Sequence, residues 1–226
     1  MPSRRASTIS TRDLRGLPGI DELRRLCQSL AMLDAILEPE WEHRYYSFNR
    51  RWSRGERMAS MRNGQGDEWF ILFDRHGAAM KGFDHESPMA GQDNCPWPGV
   101  LDALPKAFAS FRKEPAFSMQ DTTFCVWRRY GDAAWHVGAI DFPPGADPDG
   151  SAWMLAILDG RPQTYRRWAE GYYERDVPLK WVRAVYEHQP LTEALVQGLN
   201  PEQTLADLRE DVLEIGYPAP AEGRRE

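Results

Sequence analysis

Cysteine is scarce in this chain of 226 residues, and its spacing argues against a fold held together by disulfides or by zinc. The three residues, Cys27, Cys95 and Cys125, are odd in number and far apart. This pattern fits neither a disulfide framework nor a zinc site. Cys27 and Cys125 lie in apolar runs, which predicts buried thiols, whereas Cys95 lies beside a proline in a loop and is the candidate for exposure. A reducing, cytoplasmic compartment suits this composition best.

An excess of positive charge is also missing. Lys and Arg number 28 against 34 Asp and Glu, which gives a net charge of −6. A protein that binds duplex DNA or RNA usually carries a basic stripe, so double-stranded nucleic acid is disfavoured as a partner. No apolar run reaches the length of a transmembrane helix, so we expect no membrane partner either.

The common catalytic signatures are absent as well. The chain has no H-E-x-x-H pair, no G-x-S-x-G elbow and no phosphate-binding loop that ends in Gly-Lys-Ser/Thr. We therefore predict no cofactor and no dedicated metal site. A binding protein is favoured over an enzyme on these grounds, although they leave the question of catalysis open.

Aromatic residues, by contrast, are abundant, with nine Trp among them, and this content indicates a folded core. Apolar residues recur every three or four positions between Leu23 and Leu37, which predicts a helix that begins after Pro18-Gly19 and ends at Pro39. From about residue 42 the period changes to two, and Tyr46, Phe48 and Trp52 are expected on one strand face. The predicted strands cover 42–52, 57–63, 68–73, 78–83, 122–130, 133–140 and 153–158.

This order of elements predicts an α+β fold. We expect a single domain over residues 17–217, with a mostly antiparallel sheet, an N-terminal helix, a helical insertion near 105–113 and a C-terminal helical bundle. The helices of the bundle are predicted at 162–174, from Pro178 onwards, at 191–199 and at 204–215. Residues 1–16 and 218–226 lack periodicity and are predicted to be disordered tails.

The segment Gly82-Phe83-Asp84-His85-Glu86-Ser87-Pro88 has the richest chemistry in the sequence. Asp84, His85 and Glu86 are consecutive ionisable residues at a predicted strand end. Such a cluster can bind a metal, relay a proton or hold a loop as a hydrogen-bonded corner, and the corner is the simplest interpretation. That interpretation predicts that Asp84 or Glu86 pairs with an arginine, Arg62 in particular, and that at least one of them accepts a backbone hydrogen bond.

Aromatic side chains near two arginines suggest a binding surface. Trp41, Tyr45 and Trp97 could form an exposed aromatic patch that binds a partner or a planar ligand. For the chain as a whole, the expected partner is a protein or a small polar ligand. Trp97 lies between two prolines, so it could equally plug the core beneath its loop, and this second interpretation is slightly favoured. The candidate binding residues are Arg44, Tyr45, Arg62, Asp84, His85, Glu86 and Trp97.

Four blocks carry a family resemblance: Trp41-Glu42-His43-Arg44-Tyr45-Tyr46-Ser47-Phe48-Asn49, Ser60-Met61-Arg62-Asn63-Gly64, the 82–88 segment and Asp121-Thr122-Thr123-Phe124-Cys125. Together they resemble an uncharacterised family of bacterial cytoplasmic proteins over roughly residues 23–217. The resemblance implies a lineage and no activity. The acidic, Trp-rich composition also resembles that of small immunity proteins that neutralise bacterial toxins.

Two functional hypotheses follow. The first is a non-enzymatic bacterial interaction protein, with toxin neutralisation as one form of that role. The alternative is a metal-dependent hydrolase or a small-molecule-binding protein that uses Asp84, His85 and Glu86. Convergence of four or more of six residues in the largest cleft would favour the small-molecule site, and dispersal would favour the interaction protein. The six are Arg44, Arg62, Asp84, His85, Glu86 and Trp97.

Overall fold

Six strands follow one another along the chain and pair in that same order, each antiparallel to its neighbour. The computed structural model describes residues 8–91 and 95–218. The strands are β1 Tyr46–Ser53, β2 Glu56–Arg62, β3 Glu68–Phe73, β4 Gly77–Phe83, β5 Phe124–Arg129 and β6 His136–Val137. Together with the helices that cover this sheet they form one α+β domain, as the sequence predicts.

The centre of the sheet is where the sequence is most apolar. In β3, Trp69 to Phe73 are all buried, and β3 lies between β2 and β4 as predicted. The turn from β3 to β4 is closed by Asp74, whose carboxylate accepts N–H groups from His76 and Gly77 at 2.6 and 3.1 Å. This local side-chain capping confirms the predicted hairpin.

Seven α-helices lie in the described ranges. They are α1 Ile20–Leu37, α2 Ala109–Lys113, α3 Ser151–Leu155, α4 Pro162–Tyr172, α5 Leu179–Tyr186, α6 Glu193–Leu199 and α7 Arg209–Ile215. Helix α1 stops just before Pro39, and α6 begins at the predicted cap, because the Thr192 hydroxyl accepts the N–H of Leu195 at 3.2 Å. Helix α7 is shorter than the predicted span 204–215, since residues 204–208 form turns in which Thr204 and Asp207 bond each other. None of the helices in the described ranges is long and apolar enough to cross a membrane.

The sheet has a core on each face. One face packs against α1 and the C-terminal helices, with Tyr46, Phe48 and Trp69 among its buried residues. The other face is covered by the segment between β4 and β5, whose Phe108 and Phe117 are fully buried. The predicted helical insertion therefore closes the second core.

A bulge in β1 corrects one detail of the predicted strand pattern. The pairing register of β1 with β2 shifts between Asn49 and Ser53. Trp52 consequently packs in the second core, whereas Tyr46 and Phe48 pack in the first, although an unbroken alternation would put all three together. Between these pairs β1 advances four residues while β2 advances two, and this irregularity interrupts the alternation of faces.

The prediction of a strand at 153–158 is wrong. Residues Ser151–Leu155 form α3 and a 3₁₀ turn follows. Two aspartates cap the first turn of α3. Asp147 accepts N–H groups from Ala152 and Trp153, and Asp149 accepts the N–H of Ser151. Acceptors at the first turn stabilise a helix, and a short apolar run alone does not distinguish helix from strand.

Two other boundaries differ from the predictions. The expected strand 133–140 is reduced to His136–Val137, because β6 is the sheet edge and pairs only with β5. Part of the expected N-terminal tail packs on the domain: Ile9 is buried, and the Thr11 N–H donates to the Ser151 hydroxyl at 3.0 Å. Residues 1–7 and 219–226 lie outside the described residues.

Candidate functional site

The Asp84 corner turns the chain out of β4 and holds a second loop. The Asp84 carboxylate accepts the backbone N–H of Glu86 and the indole N–H of Trp153, both at 3.0 Å. Gly150 lies against the same carboxylate and has φ +73°, and a Cβ there would come within 2.3 Å of Asp84 Oδ2. The corner is therefore built around a glycine in the left-handed region.

Neighbouring hydroxyls fasten the same two segments. Ser87 donates to the carbonyl of Pro148 at 2.6 Å, and Thr123 donates to the carbonyl of Asp149 at 2.8 Å. Asp149 is only 1% exposed and also accepts from the Thr11 hydroxyl. The 84–87 and 147–153 segments are thus joined by buried hydrogen bonds at Ser87, Thr123 and Asp149.

The predicted arginine partner of this corner is not found. Asp84 does accept a backbone hydrogen bond, which confirms half of the prediction, but no arginine of the described ranges pairs with Asp84 or Glu86. Arg62 instead lies over the Phe70 ring, 5.1 Å from its centroid. The reason is strand order: β3 separates β2 from β4, so Arg62 and Asp84 are two strand spacings apart.

An aspartate that the sequence analysis did not single out completes the corner. Asp67 Oδ1 lies 2.7 Å from His85 Nδ1 and also accepts the His85 backbone N–H at 2.9 Å. The bond to Asp67 raises the pKa of His85. Burial opposes ionisation of Asp67, but hydrogen bonds from His85 and Asn63 outweigh it and lower the pKa of that carboxyl. The predicted hairpin of β3 and β4 could have indicated Asp67, because the start of β3 lies beside the end of β4.

The Asp67–His85 pair resembles the carboxylate–imidazole pairs of catalytic and metal sites, and the His85 side chain is 41% exposed. Ligand atoms of Asp67, Asp84 and His85 lie within 4.8 Å of one another. However, the carboxylates already accept from His85, Asn63, Glu86 and Trp153. These bonds favour the structural corner over a metal centre.

Replacing Asp84 with alanine should lower the free energy of unfolding by about 1–3 kcal/mol, because two donors would lose their acceptor. Glu86→Ala is the matched control, since that neighbouring carboxylate is 85% exposed and should contribute little. Urea unfolding at neutral pH measures both. An unchanged midpoint in Asp84→Ala, with loss of binding to a ligand or partner, would show that the corner is functional instead.

Three of the candidate residues meet at a different place, which we call the aromatic cleft. This depression of about 380 Å³ opens beside the start of β1 and the end of β2. Its walls include Trp41, Arg44, Tyr45, Arg62, Asn63 and Tyr172. Trp41 is 58% exposed and Tyr172 is 44% exposed, so large apolar side chains face solvent here.

The rings around the cleft form a packed cluster. The centroid of Tyr45 lies 4.8 Å from Trp168 and 5.1 Å from Tyr172, and the Trp168 and Tyr172 rings stack at 5.2 Å. Burial, with a further contribution from Tyr172, raises the pKa of Tyr45 to about 12. The Tyr45 hydroxyl therefore keeps its proton at neutral pH.

Arg44 stabilises the wall of the cleft. It forms an ion pair with Asp211 of α7, and the Arg44 side chain is only 9% exposed. It also donates to the carbonyls of Glu38 and Pro39 at 2.8 and 3.0 Å. These bonds hold the 38–44 segment, and with it Trp41, against the C-terminal helix.

The remaining candidates lie elsewhere. Trp97 donates to the Asp141 carbonyl at 3.0 Å and packs against the second core, so it joins the two long loops. Two larger depressions, of about 550 and 650 Å³, contain none of the candidate residues. Of the six residues chosen to test convergence, only Arg44 and Arg62 share a cleft.

No protein-family model, curated protein or solved structure matches this chain. The resemblance to a bacterial cytoplasmic family therefore stays a hypothesis.

Proposed function

We propose that this chain is a non-enzymatic interaction protein that binds a basic protein partner through the surface around Trp41. The observation that carries the proposal is the 58% exposure of Trp41 beside a rim of exposed carboxylates that form no ion pair within the described ranges. A large aromatic side chain held on a fixed backbone is the type of residue that anchors protein interfaces. Dispersal of the candidate residues also supports this proposal over a small-molecule site built on Asp84.

The rim is formed by two segments that Arg44 holds together. Glu40 and Glu42 flank Trp41, and Glu210 and Glu214 lie on the outer side of α7. All four are exposed, and none of them forms an ion pair within the described ranges. Trp41 and Glu214 border the same small depression, so the two segments are neighbours.

A second large apolar residue is exposed on α7, the helix that carries part of the rim. Leu213 is 64% exposed and follows Glu210 by three positions on α7, which puts both on one side of the helix. An apolar centre with a charged rim is the usual arrangement of a protein interface. The sign of the rim favours a basic partner, whose approach the carboxylates would accelerate by electrostatic steering. A toxin-neutralising role is consistent with such a partner.

The test uses the full chain with a photo-crosslinking amino acid at position 41 and, as the control, at exposed Tyr130 near the Asp21 end of α1. The protein that crosslinks from position 41 alone is purified, and its affinity is measured with unmodified chain. We expect a basic protein whose association rate falls as salt is raised. Trp41→Ala should weaken binding about thirtyfold, and Leu213→Ser should weaken it too.

Tyr130→Ala is the matched substitution, because it removes an equally exposed aromatic side chain from another surface. It should leave the affinity unchanged. An acidic partner, or an affinity that Trp41→Ala and Tyr130→Ala change equally, would contradict the proposal. Circular dichroism of each variant separates lost binding from lost folding.

A further inference from the structure

We infer that the aromatic cleft binds a small aromatic carboxylate, with the ring against Trp41 and Tyr172 and the carboxylate on Arg62 and the Tyr45 hydroxyl. This site goes beyond the proposed protein interaction and does not depend on it. It also differs from the site considered at Asp84, because its polar groups come from the start of β1 and the end of β2.

The first observation is the availability of the Arg62 charge. Arg44, the other arginine of the cleft, is neutralised by Asp211. Arg62 is exposed, lies over the Phe70 ring and has no carboxylate partner among residues 8–91 and 95–218. A guanidinium without a partner is a strong donor for a carboxylate, because the two fork geometries match.

The second observation is an unused hydroxyl in the wall. Tyr45 is only 9% exposed, yet its hydroxyl makes no hydrogen bond within the described part of the chain. The residue lies directly opposite Arg62, whose backbone N–H donates to the Tyr45 carbonyl at 2.9 Å. A protonated hydroxyl and a guanidinium thus border the same space, and both are donors, which selects an anionic oxygen ligand.

The apolar part of the ligand follows from the remaining walls. Trp41 and Tyr172 present exposed ring surface to the cleft, and Tyr172 is held by stacking on Trp168. Such surfaces favour a flat aromatic group over a flexible chain. The volume of about 380 Å³ suits a single small ring with a short acidic arm.

Two carboxylates oppose an anion here: Glu42, and Asp67, whose charge contributes to the raised pKa of Tyr45. Glu42 lines the same space and is exposed, so its charge repels a bound carboxylate. The other polar lining groups include His43, which is exposed, the Asn63 amide, which donates to Asp67, and the Ser47 and Ser60 hydroxyls, which bond each other at 2.7 Å. Removal of the Glu42 charge should therefore tighten binding, which gives the inference a test with the opposite sign.

The experiment is a calorimetric titration of the full chain with phenylacetate and, separately, with neutral phenylacetamide. We expect saturable millimolar binding of the acid, about tenfold tighter than that of the amide. Arg62→Gln should abolish this preference, Tyr45→Phe should weaken binding of the acid, and Glu42→Gln should strengthen it. Arg57→Gln is the control, since Arg57 is an exposed arginine at the other end of β2.

Failure of phenylacetate to bind saturably, equal binding of acid and amide, or equal effects of Arg62→Gln and Arg57→Gln would each overturn the inference. The two proposals fail separately. Leu213→Ser should reduce partner binding without changing the phenylacetate titration, whereas Arg62→Gln changes the titration even if no protein partner exists. Thermal melting of Arg62→Gln and Tyr45→Phe confirms that the variants compared are folded.

Discussion

Replacing Asp34 with alanine should lower the free energy of unfolding by about 3–5 kcal/mol. Asp34 lies in the last turn of α1 and is 0% exposed. Its carboxylate accepts the backbone N–H groups of Tyr45 and Tyr46 at 3.0 and 2.8 Å and the Tyr165 hydroxyl, also at 2.8 Å. Alanine would leave all three donors buried without an acceptor, and each costs about 1–3 kcal/mol.

The same residue should make stability depend on pH. Burial raises the pKa of Asp34 from 3.8 to about 7, although the three hydrogen bonds act in the opposite direction. Between about pH 4 and pH 7 the folded protein therefore holds a proton here that the unfolded chain has lost. The free energy of unfolding should fall by roughly 4 kcal/mol at most as pH rises through this window. Above the window it should stay level.

Chemical denaturation from pH 4 to pH 8 measures this effect. Asp34→Asn cannot ionise, so its stability should fall less than that of the wild type over the same range. Asp176→Asn makes the same chemical change at an exposed position and should follow the wild type. Parallel profiles for wild type and Asp34→Asn would show that Asp34 is charged in both states and that the effect of burial is overstated.

Replacing Lys81 with methionine should cost about 2–4 kcal/mol. Lys81 is a β4 residue with 0% exposure, and its ammonium contacts Glu68 Oε1 at 3.1 Å and the carbonyls of Phe117 and Asp121 at 2.7 and 2.6 Å. Burial lowers the pKa of Lys81, and Glu68 opposes that change. Methionine keeps the length of the side chain but leaves these acceptors without their shared donor.

Urea unfolding of Lys81→Met measures the cost, and Lys113→Met is the control because Lys113 is exposed. The double variant Lys81→Met with Glu68→Gln should recover only part of the loss, since the carbonyls of Phe117 and Asp121 remain unpaired. Complete recovery would show that the ion pair, and not the fastening of the 117–121 segment, is what Lys81 contributes.

The interaction surface could be recognised only in part from the sequence. The sequence predicts Trp41 in an aromatic patch and Arg44 as a binding residue, but it does not show the contact of Arg44 with α7. Asp211 comes from a helix 167 residues further along the chain than Arg44, and no local pattern signals that contact. Asp34 was hidden for the same reason, because its donors lie beyond the end of its own helix.

The sequence by itself determined the α+β class, the span of α1, the order of the first four strands and the hairpin at Asp74. These features follow from periodicity and turn chemistry, which act over a few residues. Only the tertiary structure decided that Trp52 joins the second core and that Asp67, not Arg62, meets the Asp84 corner. These two features depend on strand register and strand order, which local sequence does not show, whereas the helix at 151–155 depends on the nearby acceptors Asp147 and Asp149 and was missed because a short apolar run resembles a strand.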